Sequence, residues 1–271
     1  MVLGAYEQLS RVAREKHGLA VKPGISPLEA EMKVIAIASL KDGCGKTSTA
    51  FFLAEALTHS GKHVVLMDAD PNNNATDYLA RQELPEVIEA RSLHHALAGR
   101  RALEDCLIPS SFGLDLIPAT PNLANAHIEL AQDPGVALRF PMDIKGLDAD
   151  VVLIDTPPAL TIELTLALYA SDIVIVPVGL SRWTTQGYQI IASRVGIVNR
   201  TTGRDTALLA LPSIVTEREA GVLRAIPMWT TTRTAILKAP AIRNAANAGK
   251  RLKESAAAWE WYHELAEELC P

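Results

Sequence analysis

Cysteine is scarce in this sequence: Cys44, Cys106 and Cys270 are the only three in 271 residues, far apart and odd in number. Such spacing excludes a disulfide framework and a zinc cluster. Excess positive charge is also missing. Lys and Arg total 26 against 31 Asp and Glu, a net charge of −5, so the chain as a whole is not a basic nucleic-acid binder. Any DNA contact needs a local basic patch. No apolar run approaches the ~18 residues that mark a membrane span; the longest, around 151–154 and 173–180, are strand-sized. The N-terminus carries Glu7, Arg11, Arg14 and Lys16 and has no apolar signal-peptide core. These absences point to a cytoplasmic protein. Internal repeats and low-complexity tracts are missing too.

What is present is ordinary globular composition, 48% hydrophobic and 21% charged, in a length that suits between one and two domains. Short apolar runs alternate with longer amphipathic stretches. Strands are predicted at 34–38, 63–67, 114–118, 151–154, 173–178 and 207–211, rich in Val, Ile and Leu as strands covered on both faces are. Helical patterns fall at 47–59, 123–132, 161–170 and 184–198. Strand–helix alternation predicts an α/β fold, with a mainly parallel twisted sheet and helices on both faces. Residues 1–32 read as an N-terminal extension, with a short helical pattern around Leu9, Val12 and Ala13, and 33–271 as the main domain. The last stretch, 255–269, puts Ala258, Trp261, Tyr262, Leu265 and Leu269 at helical spacing, with Glu260, Glu264, Glu267 and Glu268 as its charges. It predicts a helix docked on the sheet.

The most informative segment follows the first strand: Ser39-Leu40-Lys41-Asp42-Gly43-Cys44-Gly45-Lys46-Thr47-Ser48-Thr49. A strand running into a glycine-containing loop, with Gly-Lys-Thr opening a helix, is a phosphate cradle. Gly43 and Gly45 let backbone N–H groups converge on oxygens, and the helix N-terminus adds a field that favours anions. Lys46 would reach the β- and γ-phosphates and the Thr47 hydroxyl would ligate Mg²⁺. The common phosphate-loop pattern needs glycine at position 40, where this chain has Leu40. It has instead a second lysine, Lys41, at the head of the loop.

Here the sequence resembles the ParA/Soj/MinD group of deviant Walker-A ATPases, whose loop is headed by a signature lysine. The resemblance covers about residues 33–269. Asp68-Ala69-Asp70-Pro71 with Asn74-Ala75-Thr76, the Leu116–Ala119 segment, Ile154-Asp155-Thr156-Pro157-Pro158, and Ala170-Ser171-Asp172 leading into Ile175–Val178 all look like family motifs in family order. The resemblance implies ATP and Mg²⁺ as cofactors, bound by Lys41, Asp42, Gly43, Cys44, Gly45, Lys46, Thr47 and Ser48. Adenine contacts fall near Pro212 and Ser213. It also implies that Asp70 positions the attacking water, and that Lys41 reaches across an ATP-dependent homodimer to the partner's nucleotide. The catalytic set is then Lys41, Lys46 and Asp70. Asp155 closes an apolar strand, so its carboxylate belongs at the C-terminal sheet edge, where it can hold Mg²⁺ opposite Thr47. Asp68 is expected to assist the metal indirectly, the alternative being that it only bonds the strand end. Asp42 departs from the family glycine. Its carboxylate and Cβ are expected to hinder close approach of a second subunit.

One local patch reverses the overall charge. Residues 231–254 hold Arg233, Lys238, Arg243, Lys250, Arg251 and Lys253 against a single acid, Glu254. That composition suits non-specific DNA binding through phosphate contacts, and Arg194, Arg200 and Arg204 could extend it. There is no aromatic interleaving and no recognition-helix signature. The resemblance then implies a ParA-type partition ATPase, nucleoid-associated and stimulated by a ParB-like or centromere-binding partner. Two alternatives stay open: a hydrolysis-impaired ParA-like scaffold, and a MinD-like membrane-cycling ATPase. The acidic last helix speaks against the membrane reading.

Overall fold

Strand β1 (Lys33–Ile37) sits at the centre of an eight-stranded sheet because its residues are apolar on both sides. Val34, Ala36 and Ala38 belong to one hydrophobic core and Ile35 and Ile37 to the other. The computed structural model describes residues 32–271 apart from 131, 132 and 134. The extension expected over 1–32, with its helical pattern, lies outside the described residues but for Met32. The remaining strands are β2 (Val64–Asp68), β3 (Ile108–Pro109), β4 (Asp115–Ile117), β5 (Val151–Asp155), β6 (Ile173–Val178), β7 (Ala207–Val215) and β8 (Ile236–Leu237). Their order is β3-β4-β2-β5-β1-β6-β7-β8, and only the β3–β4 pair is antiparallel. The expected α/β class and mainly parallel sheet are therefore observed.

Among the described residues the α-helices are α1 (Lys46–His59), α2 (Asn74–Leu79), α3 (Pro85–Ala90), α4 (Leu93–Leu97), α5 (Ala126–Leu130), α6 (Val136–Lys145), α7 (Ile162–Ala170), α8 (Arg182–Thr202), α9 (Glu217–Arg224), α10 (Pro240–Ala248) and α11 (Ala257–Leu269). One core lies under α6, α7 and α8, through side chains such as Phe140, Leu164, Ile191 and Val195. The other lies under α1 and α11, through Phe51, Phe52, Leu57, Tyr262 and Leu265. Because α1 is apolar on nearly every side, it is buried along most of its length. The predicted terminal helix exists as α11. It packs on α1, where Tyr262 meets Phe52 at a 5.3 Å ring separation.

All six predicted strands form, but several elements end elsewhere than expected, among them α8, which runs on to Thr202. β7 continues beyond Leu211 to Val215, carrying Ser213 and Ile214 to the sheet edge. The pattern at 123–132 resolves, within the described residues, into a 3₁₀ turn (Pro121–Asn125) followed by α5. Strands β3 and β8 are only two residues long, too short for any periodicity to register. They exist because a neighbouring strand supplies their hydrogen bonds.

Candidate active site

Parallel pairing sets Ile37, Asp155 and Asp68 level with one another, since Ile37 aligns with Asp155 and Asp155 with Asp68. The ends of β1, β5 and β2 thus open on one edge of the sheet, where open α/β sheets receive ligands. From the end of β1 the chain loops through Ser39–Gly45 into α1. Gly43 and Gly45 take φ values of 68° and 92°, a region closed to most side chains. A Cβ on Gly45 would also stand 3.0 Å from the Ser213 hydroxyl. Gly45 caps α1 without any side-chain bond to its first-turn amides, leaving those donors for an anion.

Within the loop, the Lys41 amide donates to Ser39 Oγ at 3.3 Å, while Cys44 Sγ and Lys46 Nζ both donate to the Lys41 carbonyl, at 3.1 and 3.4 Å. Lys46 is thereby buried against the loop it would serve. Lys41 and Asp42 are exposed, and Thr47 and Ser48 half-buried. Asp42 keeps a negative φ, so its Cβ introduces no backbone strain, and among the described residues its carboxylate has no ion-pair partner.

The carboxylates differ sharply in their surroundings. Asp155 is 1% exposed, and among the described residues neither oxygen makes a hydrogen bond of normal geometry. Burial holds its pKa well above the usual carboxylate range and Asp68 adds to this, while Thr47 and Lys46 pull the other way. Asp68 is equally buried but fully engaged: Oδ1 accepts from the Asp70 amide at 3.1 Å, and Oδ2 from the amide and hydroxyl of Thr76, both at 2.8 Å. Thr76 Oγ1 in turn accepts from the Ala119 amide at 2.9 Å. The Asn-Ala-Thr motif and the Leu116–Ala119 segment therefore meet at Thr76, which bonds Asp68. Of the two roles expected for Asp68, its bonds in the structure are those of the strand-end bonder. Asp70 is 6% exposed and accepts from the Asn72 amide at 2.9 Å, which sets the turn entering α2.

An orphaned buried carboxylate facing a lysine and a threonine at a helix N-terminus fits a hard divalent cation. No three His, Cys, Asp or Glu side chains converge on a metal position among the described residues. Thr47 and Asp155 are the residues that would hold such a cation. A cleft of about 240 Å³ leads away from the loop, lined by Lys41, Gly43, Cys44, Leu180, Ser181, Ser213, Ile214, Glu219 and Lys238. Ser213 is where an adenine contact was expected. Pro212 is not among these lining residues and pairs with Val178 inside the sheet. Sequence reasoning missed Ile214, which takes φ 57° beside the loop, an unusual conformation for a β-branched residue. No pattern in the sequence signals it.

The basic patch is divided. Arg233 lies 3.9 Å from Glu268, Lys238 sits in the cleft 3.1 Å from Glu219, and Arg251 is 3.5 Å from the buried Glu55. Arg204 bonds Asp172 at 2.6 Å and two backbone carbonyls. Arg243, Lys250 and Lys253 remain exposed, with no acidic partner among the described residues. Of the six cations expected on this surface, three lie within 4.0 Å of an acid and three have no acidic partner among the described residues.

The sequence matches a family described as an AAA domain over residues 32–208. It is 42% identical to the chromosome-partitioning ATPase Soj of Thermus thermophilus over 161 residues, 59% of this chain and 60% of that protein. The chain thus spans about three fifths of the length of that relative. Structures of Cyanothece McdA superpose with TM-scores of 0.77 without nucleotide and 0.78 as an ATP complex, at 26% and 25% identity. Each covers 89% of this chain, and 100% and 97% of McdA. Cobyrinic acid a,c-diamide synthase of Mycobacterium smegmatis, solved with an ATP analogue and magnesium, superposes at 0.69 and 26% identity over 87% of this chain and 93% of that one. A family match across most of the folded unit, on a sheet that ends in a lysine-headed phosphate loop, has one reading: the chain belongs to the ParA/Soj/MinD family of deviant Walker-A ATPases.

Proposed function

We propose that this protein is a ParA-type partition ATPase that binds ATP and Mg²⁺, dimerises around the nucleotide and binds DNA without sequence preference. The observation that carries the nucleotide reading is the Asp155 carboxylate, buried opposite Lys46 and Thr47 with neither oxygen in a hydrogen bond of normal geometry among the described residues. Thr47 and Asp155 would hold Mg²⁺, which supplies charge neutralisation on the β- and γ-phosphates. The α1 amides and Lys46 bind and orient the phosphates. Asp70, held at the mouth of β2 by its amide's bond to Asp68 Oδ1, accepts a hydrogen bond from water and aims it. Such positioning suits phosphoryl transfer, which relies on geometry and charge stabilisation. Asp70→Ala is expected to retain ATP affinity within about threefold while turnover falls at least ~100-fold. Steady-state hydrolysis beside equilibrium binding checks this, and wild-type turnover would move the role elsewhere.

Lys41 is exposed at the loop head, the placement a residue needs to serve a second subunit's nucleotide. Each site is then complete only in the dimer, so ATP stabilises an isologous interface. The DNA reading rests on Arg243, Lys250 and Lys253, and a ParB-like partner would stimulate turnover to move a plasmid, a chromosome or another nucleoid-borne cargo. No helix among the described residues is long and apolar enough to cross a membrane. The acidic surface of α11 is also ill suited to anionic lipid. Arg243→Ala combined with Lys250→Ala should weaken binding to any duplex and reduce the slope of log affinity on log salt by about 0.9 per lost phosphate contact. The test is a salt titration on two unrelated duplexes, with ATP and with ADP. Equal affinity in both nucleotide states, or no loss in the double variant, would remove this surface from the reading.

A further inference from the structure

We infer that Glu55 and Arg251 form a proton-sensitive latch that withholds one cation of the basic surface from polyanions. The inference rests on the DNA-binding reading and names a regulation of that surface. Glu55 belongs to α1, the helix that opens with the phosphate loop, and its side chain is only 2% exposed. A carboxylate in such surroundings is expensive unless paired. Among the described residues neither of its oxygens makes a hydrogen bond of normal geometry. Its countercharge is Arg251, whose Nε lies 3.5 Å from Oε1 and whose side chain is 53% exposed. The guanidinium also rests over the Phe112 ring, 5.4 Å from its centroid.

The pair is therefore lopsided. Swinging Arg251 out to a phosphate returns an already half-solvated cation to a favourable partner. It leaves Glu55 buried with no countercharge, a state the carboxyl group escapes by taking up a proton. The segment around Arg251 is anchored elsewhere, so the arginine can move without the backbone following. The Tyr78 hydroxyl on α2 donates to the carbonyls of Lys250 and Ala245. The Arg81 guanidinium crowds Gly249, where a Cβ would meet it at 2.9 Å. Exposed Lys250 and Lys253 flank Arg251 in the chain and Arg243 precedes it on α10, so a released Arg251 would add to a surface that already has three free cations.

Among the described residues, the groups that act on Glu55 are few. Arg251 comes from the segment before α11 and the Tyr78 phenol from α2, the latter held neutral by burial. From α11, Tyr262 packs on Phe52, and His263 on His59 and Trp259. Burial pushes the Glu55 pKa up to about 7, against Arg251 and the Leu252 amide. Above that pH the carboxylate is ionised and holds Arg251; below it the latch opens. By linkage, DNA that recruits Arg251 takes up a proton.

The test measures binding of a fluorescent duplex in ATP at about pH 6 and about pH 8 for wild type, Glu55→Gln and Arg251→Ala. Wild type should bind more weakly at the higher pH, with a salt slope shallower by about 0.9. Glu55→Gln should bind at both pH values nearly as wild type does at the lower one. Arg251→Ala should be weaker and lose most of the pH dependence. Thermal melts accompany the binding, and Glu55→Gln should melt no lower than wild type at about pH 8, because it removes a buried charge. A lower melt, or a Glu55→Gln protein that keeps the wild-type pH profile and salt slope, overturns the latch. If Arg243→Ala with Lys250→Ala still weakens binding in that case, the DNA surface stands and only the latch is lost. If wild type binds no duplex at either pH, the DNA reading fails and takes the latch with it.

Discussion

Replacing Lys46 with alanine should lower affinity for ATP·Mg²⁺ by roughly 100- to 1,000-fold, equivalent to about 3–4 kcal/mol. Lys46 is 7% exposed and is held at the loop by the Lys41 carbonyl, 3.4 Å away, so its ammonium is already near the site the phosphates would occupy. A charge-assisted bond to a phosphate in such shielded surroundings is worth more than a neutral one. Lys46 also opposes the high pKa of Asp155, so its loss removes a cation from both the substrate and the carboxylate opposite. The fold itself should survive, because the hydrogen bond made by the Lys46 ammonium is to the Lys41 carbonyl of the loop. Calorimetric titration with ATP·Mg²⁺ checks the prediction. Affinity within about threefold of wild type would dissolve the phosphate-loop assignment.

Asp155→Asn should act in opposite directions in the absence and presence of ligand. Without nucleotide, the buried Asp155 carboxylate is ionised only against a desolvation penalty that lifts its pKa above the ordinary value of 3.8. A group whose folded pKa is raised makes the fold less stable as pH climbs from its unfolded value through the folded one. Asparagine keeps the shape and removes that burden. The ligand-free variant should therefore melt higher than wild type at about pH 8, by several degrees if the relief is about 1–3 kcal/mol. With ATP present, the Mg²⁺-dependent gain in affinity should disappear and hydrolysis fall at least ~100-fold. Scanning calorimetry with and without ATP·Mg²⁺ reads both effects. A variant that melts lower without ligand, or keeps its Mg²⁺ response, would show that Asp155 serves the fold and not the cation.

Six of the sheet's eight strands and the phosphate loop were readable in the sequence. The six longer strands were legible because their Val, Ile and Leu runs answer to burial on both faces. The loop was legible because Gly43, Gly45, Lys46 and Thr47 are dictated by backbone conformation and phosphate chemistry within a few adjacent residues. Asp155 could be placed for the same reason, at the end of an apolar run. Tertiary structure alone decided the fate of side chains whose partners are remote in the chain. The bonds that hold Asp68 were not legible, because Thr76, which donates to it, and Ala119, which donates to Thr76, come from separate segments. The six cations of 231–254 looked alike in sequence. Three of them answer to acids far away, Arg251 to Glu55, Arg233 to Glu268 and Lys238 to Glu219, and only pairing of that range shows which are free. Ile214 shows the limit most clearly. Its left-handed backbone has no local signature, because it falls where the register of β7 against β8 shifts, between Ser213 and Val215, and that pairing is set by strands remote in the chain.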